Sequence, residues 1–204
     1  MDQIICFIDD SGFEHDLVRN EIAPFAQGFR FIQAYTFQEA QQLLEGENPA
    51  LFLLDLWGKD EDVPDPHLPP RKELEKRITD FPDLDYVFQN LDDFEGDLLN
   101  EYLKRLFSIV DSWRSLFEEV CNRAGQNRKY GLSNLGLVRK HYPGIPAVFY
   151  TRKSLISDAV AMFGAGANGL FVKPTGSNDM ETARLTREYA PQLITGLARI
   201  MNTP

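Results

Sequence analysis

The chain has 204 residues, 43% hydrophobic and 25% charged, which suits one globular core or one domain with a large insertion. Its formal net charge of -10 argues against nonspecific binding to nucleic acid or anionic lipid, because both need positive charge. The apolar start is too short for a signal peptide, and no apolar run approaches the roughly 20 residues that span a bilayer. We expect a soluble, cytoplasmic protein that binds neither nucleic acid nor membrane.

The first 58 residues alternate between strand and helix patterns. Short unbroken apolar runs are typical of strands buried on both faces of a parallel sheet. The predicted elements are a strand over 4–8, a helix through Phe25, a strand over 29–35, a helix capped by Thr36 and ended near Gly46, and a strand over 51–54. This β-α-β-α-β order predicts a parallel sheet with helices outside it.

The alternation stops in an acidic segment. Residues 59–128 contain 17 Asp and Glu against 10 Lys and Arg, so most of the net charge lies there. We predict a short helix over 71–78 and a long one over 95–123. The long helix has an apolar stripe at spacings of three and four: Leu99, Tyr102, Leu106, Val110, Trp113, Phe117 and Val120. We expect this stripe to pack against another part of the chain, with a dimer or kinase-docking face as the alternative.

The alternation of strands and helices resumes near Ser133. The predicted elements are a helix over 135–141, a strand over 146–150, a helix capped by Ser154 and a strand over 169–172. Pro191 is costly inside a helix, so we expect a break at Ala190 and a last helix over 191–201. The chain is therefore predicted to be an α/β domain with five parallel strands, formed by residues 1–58 and 132–204. An acidic, mainly helical insertion over 59–131 separates strand 3 from helix 3.

Polar residues follow four of the predicted strands. They are Asp9 and Asp10 after the first strand, Asp55 after the third, Thr151 after the fourth and Lys173 after the fifth. Parallel strands present their carboxyl ends at one edge of a sheet, so we expect these residues to converge. Clustered carboxylates repel one another unless a cation joins them, and Mg²⁺ prefers oxygen ligands. With a hydroxyl and an ammonium beside such a site, the set indicates phosphoryl transfer.

The cysteines and histidines indicate no further site. Two cysteines are too few for a disulfide framework, and Cys6 lies in the first apolar run, where we expect a buried thiol. The histidines show no spacing typical of a metal site: His15, His67 and His141. His15 lies five residues after Asp10; we expect it at the surface, with a position near the site as the alternative.

The five strand-end residues lie in motifs that read F-I-D-D-S, L-F-L-L-D-L, V-F-Y-T-R and G-L-F-V-K-P along the chain. In this order, and with the turn G-A-G-A-N-G before the last strand, the motifs resemble the response-regulator receiver domain of two-component signalling. The resemblance covers residues 1–58 and 132–204. It implies a doubly wound, flavodoxin-like sheet of five parallel strands.

The resemblance implies a role for each residue of the phosphoryl site. Asp55 would be the nucleophile that accepts a phosphoryl group from a histidine kinase or a phosphotransfer protein. Thr151 would hydrogen-bond the phosphoryl group, and Lys173 would pair with it. The acyl phosphate would be hydrolysed at most slowly at the same site, and phosphorylation would shift an existing conformational equilibrium.

The resemblance also implies a Mg²⁺ site in the same cluster. Asp10 and Asp55 would bind the ion directly, together with the backbone carbonyl of Trp57. Asp9 would support the site through water. In receivers, two positions tune the access of water and phosphatases, and here they carry the bulky Trp57 and Lys153.

Two features depart from the family pattern. Leu170 stands three residues before Lys173, where the family often has an aromatic switch residue, and strand alternation points the neighbouring Phe171 to the other face. The short loop after the acceptor strand is replaced by the acidic insertion. A lid over the site, a dimer arm and a docking surface all stay open as roles for this insertion.

Two functions from different classes fit these residues. The first is a stand-alone receiver that signals by protein contact, through residues 95–123 or a self-dimer. We expect it to stand alone because the segment after Lys173 is too short for an output domain. The second is a receiver-like interaction module that works without phosphorylation. A Mg²⁺ phosphohydrolase ranks lower, because such an enzyme is expected to carry Asp-x-Asp after its first strand, and here Asp9 and Asp10 are adjacent.

Overall fold

The computed structural model describes residues 2–59, 62–152 and 156–202. The predictions made for Lys153 and Ser154 lie outside these residues. The chain divides into two compact units: Met1–Asp60 with Asn127–Pro204, here called the sheet unit, and Glu61–Gln126, here called the insertion unit. The predicted division into a receiver domain over 1–58 and 132–204 and a helical insertion over 59–131 stays a prediction.

A five-stranded parallel sheet organises the sheet unit. The strands among the described residues, numbered along the chain, are β1 (Gln3–Ile8), β2 (Phe29–Ala34), β3 (Leu51–Leu54), β4 (Gly58–Lys59), β5 (Gln126–Asn127), β6 (Ala147–Thr151) and β7 (Gly169–Val172). Five of them pair in parallel in the order β2-β1-β3-β6-β7, and β4 and β5 form a separate two-stranded sheet. The strand order reverses at β1, so the predicted doubly wound arrangement is confirmed.

The α-helices of the described residues are α1 (Gly12–Leu17), α2 (Phe37–Leu44), α3 (Arg71–Thr79), α4 (Leu84–Phe88), α5 (Leu98–Arg123), α6 (Lys129–His141), α7 (Ile156–Gly164) and α8 (Asp179–Met201). A π-helical turn, Val18–Ile22, and a 3₁₀ turn, Ala23–Phe25, continue α1. Helices α3, α4 and α5 belong to the insertion unit. The predicted cap of α2 is confirmed, because Thr36 Oγ1 accepts a hydrogen bond from the Glu39 amide at 3.2 Å.

The sheet is buried because its strands carry unbroken apolar runs. Every residue of β3 is buried, and so are five of the six residues of β1. Burying one large aliphatic or aromatic side chain stabilises a fold by about 1.5–3 kcal/mol, so the strand that supplies Asp55 is firmly held. The predicted burial of Cys6 is confirmed, and burial raises the pKa of its thiol to about 12.

Helix α8 corrects the predicted break at Ala190. The helix runs without interruption from Asp179 to Met201 and contains Pro191 in its interior. Pro191 lacks an amide hydrogen and costs about 3 kcal/mol or more in a helix interior. Ala190, Leu193 and Leu197 are all fully buried in the hydrophobic core of the sheet unit. Tertiary burial on both sides of the proline therefore outweighs the local cost.

Two other helices differ from the prediction. Helix α6 begins at Lys129, six residues before the predicted start at Leu135. Helix α4 was not predicted, although Asp83 caps it by accepting a hydrogen bond from the Tyr86 amide at 2.9 Å. Both differences concern short apolar patterns that local periodicity does not resolve.

The insertion unit covers the apolar stripe of α5 only in part. Leu116 and Cys121 are the buried residues of this helix, and Trp113 packs edge-on against Phe81 with ring centroids 5.5 Å apart. The large apolar residues of α5 that are exposed are Leu98, Leu99, Leu103, Phe107, Val110, Trp113 and Phe117. The prediction that the stripe packs within the chain is therefore met only in part, because nine-residue α3 and five-residue α4 are too short to cover a helix of 26 residues.

None of the helices in the described part of the chain has both the length and the apolar character needed to cross a membrane.

Candidate functional site

The carboxyl ends of the parallel strands bring the predicted residues to one edge of the sheet. Three backbone hydrogen bonds extend the strand pairing into this edge, from Asp9 N to Ala34 O (3.1 Å), from Asp55 N to Ile8 O (2.9 Å) and from Lys173 N to Thr151 O (3.0 Å). Because the backbone is held up to the strand ends, the side chains that follow have defined positions. The predicted convergence is therefore present in the structure.

Three carboxylates form the centre of this edge. Asp9, Asp10 and Asp55 each offer one carboxylate oxygen, and these oxygens lie within 4.8 Å of one another. Asp9 and Asp55 are buried, whereas Asp10 is partly exposed and accepts a hydrogen bond from the Lys59 amide at 2.9 Å. Like charges at this separation repel strongly in a buried site, so the cluster favours a cation.

Lys173 supplies one cation to the cluster. Its side chain is only 4% exposed, and Nζ donates to Asp9 Oδ2 at 2.5 Å and to Asp55 Oδ1 at 3.1 Å. Burial by itself lowers the pKa of a lysine, but here the charges of Asp55, Asp9 and Glu14 outweigh it and raise the pKa of Lys173. The side chain is therefore an ammonium at neutral pH.

The two buried carboxyl groups have higher pKa values than surface aspartates. Burial raises the pKa of Asp55 from 3.8 to about 6, and Lys173 limits this rise while Asp9 adds to it. Burial also raises the pKa of Asp9, again against the charge of Lys173. Both groups are thus easier to protonate than a solvated aspartate, and an added cation would favour their ionised forms.

Thr151 places a hydroxyl at the same edge. The residue is 1% exposed, and its Oγ1 makes no well-formed hydrogen bond with the described residues, although it lies close enough to Asp55 to lower the pKa of that carboxyl. Buried hydroxyl groups are almost always hydrogen-bonded, so a hydroxyl without a well-formed bond calls for an explanation. A ligand oxygen bound beside Asp55 and Lys173 would provide such a bond.

The donor set fits a divalent cation. Among the described residues, the charged groups that meet in the cluster are four carboxylates and two cations, namely Asp9, Asp10, Glu14 and Asp55 with Lys173 and Arg152. In their ionised forms they leave an excess of two negative charges, which one Mg²⁺ would neutralise. Mg²⁺ also prefers one or two carboxylates together with water and phosphate oxygens, and a partly exposed Asp10 permits that arrangement.

Trp57 follows Asp55 by two residues, and its side chain is buried. Its Nε1 donates to Asp158 Oδ2 at 3.4 Å, and Asp158 also pairs with Arg128 at 2.9 Å. This contact fixes the loop that follows Asp55. Coordination of a metal by the Trp57 carbonyl stays a prediction from the resemblance.

His15 corrects the expectation of a surface position. It is buried, its Nε2–H donates to the backbone carbonyl of Asp9 at 2.9 Å, and its Nδ1 bonds to the Gln33 side chain at 3.0 Å. The ring also lies against Tyr35, with centroids 4.4 Å apart. Both ring nitrogens have polar partners, so burial costs little. No local sequence signal reveals this, because Gln33 and Tyr35 come from the next strand segment.

Helix α6 approaches the site closely at its first turn. A Cβ atom on Gly131 would lie 2.4 Å from the Asp55 carbonyl oxygen, so a side chain cannot fit there without a backbone shift. The ring of the preceding Tyr130 packs against Gly58, and its hydroxyl group donates a hydrogen bond to the Tyr35 carbonyl oxygen at 2.8 Å. Burial and then the nearby carboxylates raise the pKa of Tyr130, so it remains a neutral phenol at this edge.

Two charged residues of the site were missed by the sequence analysis. Glu14 is 6% exposed, pairs with Arg152 at 2.9 Å and lies 3.5 Å from Lys173 Nζ. The only sequence signal is position, because Glu14 follows Asp10 by about one helical turn and Arg152 follows Thr151 directly. Phe171 is partly buried and packs against the hydrophobic core, with its ring close to Gly196 of α8.

Comparisons with known proteins identify the fold. No family model and no curated protein sequence matches the chain. Among solved structures, the chain is similar to the response regulator domain of Thermotoga maritima CheB, with 14% identity, a TM-score of 0.52 and 100% and 99% of the two chains covered. It is also similar to a response regulator from Thermotoga maritima, with 13% identity, a TM-score of 0.50 and both chains covered completely. The chain thus has the fold of response-regulator receiver domains, which confirms the resemblance predicted from its motifs.

Proposed function

We propose that this chain is a response-regulator receiver that accepts a phosphoryl group on Asp55 with the help of Mg²⁺. The observation that carries the proposal is the arrangement around Asp55. One of its oxygens lies 3.1 Å from Lys173 Nζ, two further carboxylates are close by, and the buried Thr151 hydroxyl lies near Asp55 without a well-formed hydrogen bond. Nucleophile, cation and hydroxyl donor are therefore together at one sheet edge.

The chemistry requires little more than position and charge. A carboxylate oxygen of Asp55 would attack the phosphorus of the donor, and the bond from phosphorus to the donor's nitrogen or oxygen would break, with the electron pair leaving on the donor atom. Lys173 would hold the phosphoryl oxygens by charge, and Thr151 would donate a hydrogen bond to them. Phosphoryl transfer depends mainly on such positioning and electrostatic stabilisation.

Asp10, Asp55 and the Trp57 carbonyl are the groups proposed to hold Mg²⁺. When bound, the ion would neutralise the charge of the carboxylates and of the phosphoryl oxygens. Asp9 is proposed to support the Mg²⁺ site through water, and it also accepts a hydrogen bond from Lys173 Nζ at 2.5 Å. Water that reaches the acyl phosphate would release phosphate and regenerate Asp55, so slow self-dephosphorylation is part of the proposal.

The proposed donor is a histidine kinase or a phosphotransfer protein, and the proposed output is protein contact. Exposed apolar residues on α5 make residues 95–123 the proposed contact surface, for a downstream partner or for a second copy of the chain. Large exposed apolar patches commonly mark interaction sites.

The mass of the intact protein after incubation with acetyl phosphate and Mg²⁺ tests the proposal. We expect one phosphoryl adduct in the wild type and none in Asp55→Asn or without Mg²⁺. Asp111→Asn is the matched control, because Asp111 lies in α5 and pairs with Arg114 at 3.3 Å on the surface. This variant should form the adduct like the wild type.

Two outcomes would contradict the proposal. An adduct that persists in Asp55→Asn would place the acceptor elsewhere. A wild type that binds Mg²⁺ but forms no adduct would favour the receiver-like module that works without phosphorylation.

A further inference from the structure

Glu14 and Arg152 form an ion pair at the edge of the acidic cluster. Their charged groups are 2.9 Å apart, with the Glu14 side chain almost fully buried and Arg152 about one third exposed. Glu14 lies in α1, and Arg152 directly follows the last residue of β6. The pair therefore joins the first helix to the strand end that carries Thr151.

The other carboxylate oxygen of Glu14 faces the catalytic lysine. Glu14 Oε2 lies 3.5 Å from Lys173 Nζ, which also contacts Asp9 at 2.5 Å and Asp55 at 3.1 Å. Three carboxylates thus share one ammonium. Any group that changes the charge of Glu14 changes how strongly Lys173 is drawn away from Asp55.

Arg152 is held on the opposite side by the segment that follows the lysine. Its Nη2 donates to the Pro174 carbonyl at 3.3 Å, while its buried Nε has no hydrogen-bond partner among the described residues. The guanidinium therefore lies between Glu14 and the backbone next to Lys173. It supplies a second positive charge to a site that otherwise has an excess of carboxylates.

We propose that Glu14 and Arg152 are positioning residues that set the balance between cation and phosphoryl binding at Asp55. This inference rests on the proposed function. Glu14 holds Lys173 within the cluster and adds to the negative charge that attracts Mg²⁺. Arg152 neutralises Glu14, so that Lys173 remains available for the incoming phosphoryl group. The two residues therefore act in opposite directions on the same site.

The proposal predicts effects of opposite sign for two neutral variants. Glu14→Gln should weaken Mg²⁺ binding and speed adduct formation at saturating Mg²⁺, because one competing carboxylate is gone. Arg152→Gln should tighten Mg²⁺ binding and slow adduct formation, because Glu14 then acts on Lys173 without compensation. We expect changes of about three- to tenfold in each quantity, the size of one partly screened charge at short range. The double variant should resemble the wild type in both Mg²⁺ affinity and the rate of adduct formation.

The experiment measures Mg²⁺ affinity by calorimetry, the initial rate of phosphorylation by acetyl phosphate from intact mass, and the urea midpoint. Glu21→Gln is the matched control, since Glu21 is a buried glutamate that pairs with Arg187 of α8 at 2.7 Å. It should change the urea midpoint alone. Arg152→Lys keeps the positive charge, so its Mg²⁺ affinity should stay near that of the wild type. This variant separates the effect of charge from the effect of poor folding in Arg152→Gln.

The results separate this inference from the proposed function. Shifts of the same sign in Glu14→Gln and Arg152→Gln, or no shift in either, would overturn the inference even if Asp55 is phosphorylated. If the wild type forms no adduct, the proposed function fails, and opposite shifts in Mg²⁺ affinity would still support the charge-setting pair. A wild type that does not bind Mg²⁺ would overturn both the proposed function and the inference about Glu14 and Arg152.

Discussion

The sheet unit and the insertion unit use their apolar residues differently. In the sheet unit, the apolar residues of the central strands are covered, and the residues of β3 are all buried. In the insertion unit, the buried residues include Val87, Leu91, Leu116 and Cys121, while α5 leaves a row of large side chains exposed. The difference teaches that an amphipathic pattern predicts a helix but does not ensure that the chain itself covers its apolar face.

The carboxyl groups of the two units also differ. In the sheet unit, burial raises the pKa values of Asp9 and Asp55. In the insertion unit, hydrogen bonds from arginine lower the pKa values of the exposed Glu73 and the partly buried Glu101. The pKa of a carboxyl group therefore shifts in opposite directions in the two units, because one environment excludes water and the other pairs the charge with an arginine.

The largest expected effect is a difference between two Phe→Ala variants. Phe52 of β3 is 0% exposed and its ring lies 5.0 Å from that of Tyr142, whereas Phe107 of α5 is 62% exposed. Phe52→Ala should lower the free energy of unfolding by about 3–5 kcal/mol, because it leaves a cavity in a packed core. Phe107→Ala should change it by less than about 1 kcal/mol. Urea unfolding followed by circular dichroism measures both, and equal losses would show that Phe107 is covered in solution.

A second prediction concerns the pH dependence of stability without Mg²⁺. The pKa of Asp55 is raised to about 6 in the folded chain, so its contribution to stability is present in acid and is lost as the pH rises through 6. Between pH 5 and pH 7, the wild type should lose about 1–3 kcal/mol more than Asp55→Asn.

The contribution of two glutamates of the insertion unit to stability depends on pH in the opposite direction. The pKa values of Glu73 and Glu101 are lowered, so their contribution is lost as the pH falls. We would measure the urea midpoints of the wild type and Asp55→Asn at pH 5 and pH 7. The difference between the two proteins isolates the contribution of Asp55, because both proteins contain Glu73 and Glu101. Parallel pH curves for wild type and Asp55→Asn would refute a raised pKa at Asp55, and added Mg²⁺ should reduce the difference at pH 7.

The smallest expected effect comes from removing the insertion unit. With residues 62–125 replaced by a short Gly-Ser linker, the free energy of unfolding of the sheet unit should change by about 1 kcal/mol or less, because loop length has a weak effect on stability. Phosphorylation by acetyl phosphate should be retained. Circular dichroism, urea unfolding and intact mass provide the measurements. Loss of cooperative unfolding would show that the two predicted domains do not fold independently.

Much of the sheet unit could be predicted from local sequence. The bounds of β3 and β7 agree with the prediction, because a short unbroken apolar run leaves few alternatives to a strand, and β3 is buried while β7 is partly exposed. The strand-end residues Asp9, Asp55 and Lys173 could be grouped because parallel strands share an edge. These inferences needed only the order of elements and the chemistry of the residues that end them.

Other features could not be predicted, because their partners are distant in the sequence. Helix α8 continues through Pro191 only since the residues around it are buried in the core. His15 is buried since Gln33 and Tyr35 complete its surroundings. No local pattern contains these partners.

The amino-acid sequence by itself determined the alternation of strands and helices, the acidic insertion and the set of residues at the strand ends. Those properties depend on the period of apolar residues and on chain order. The tertiary structure alone decided that Glu14 reaches Lys173, that Arg152 pairs with Glu14 and that the Thr151 hydroxyl lies near Asp55. Such contacts join side chains from different elements, and their energies depend on distance and burial, which only the folded chain defines.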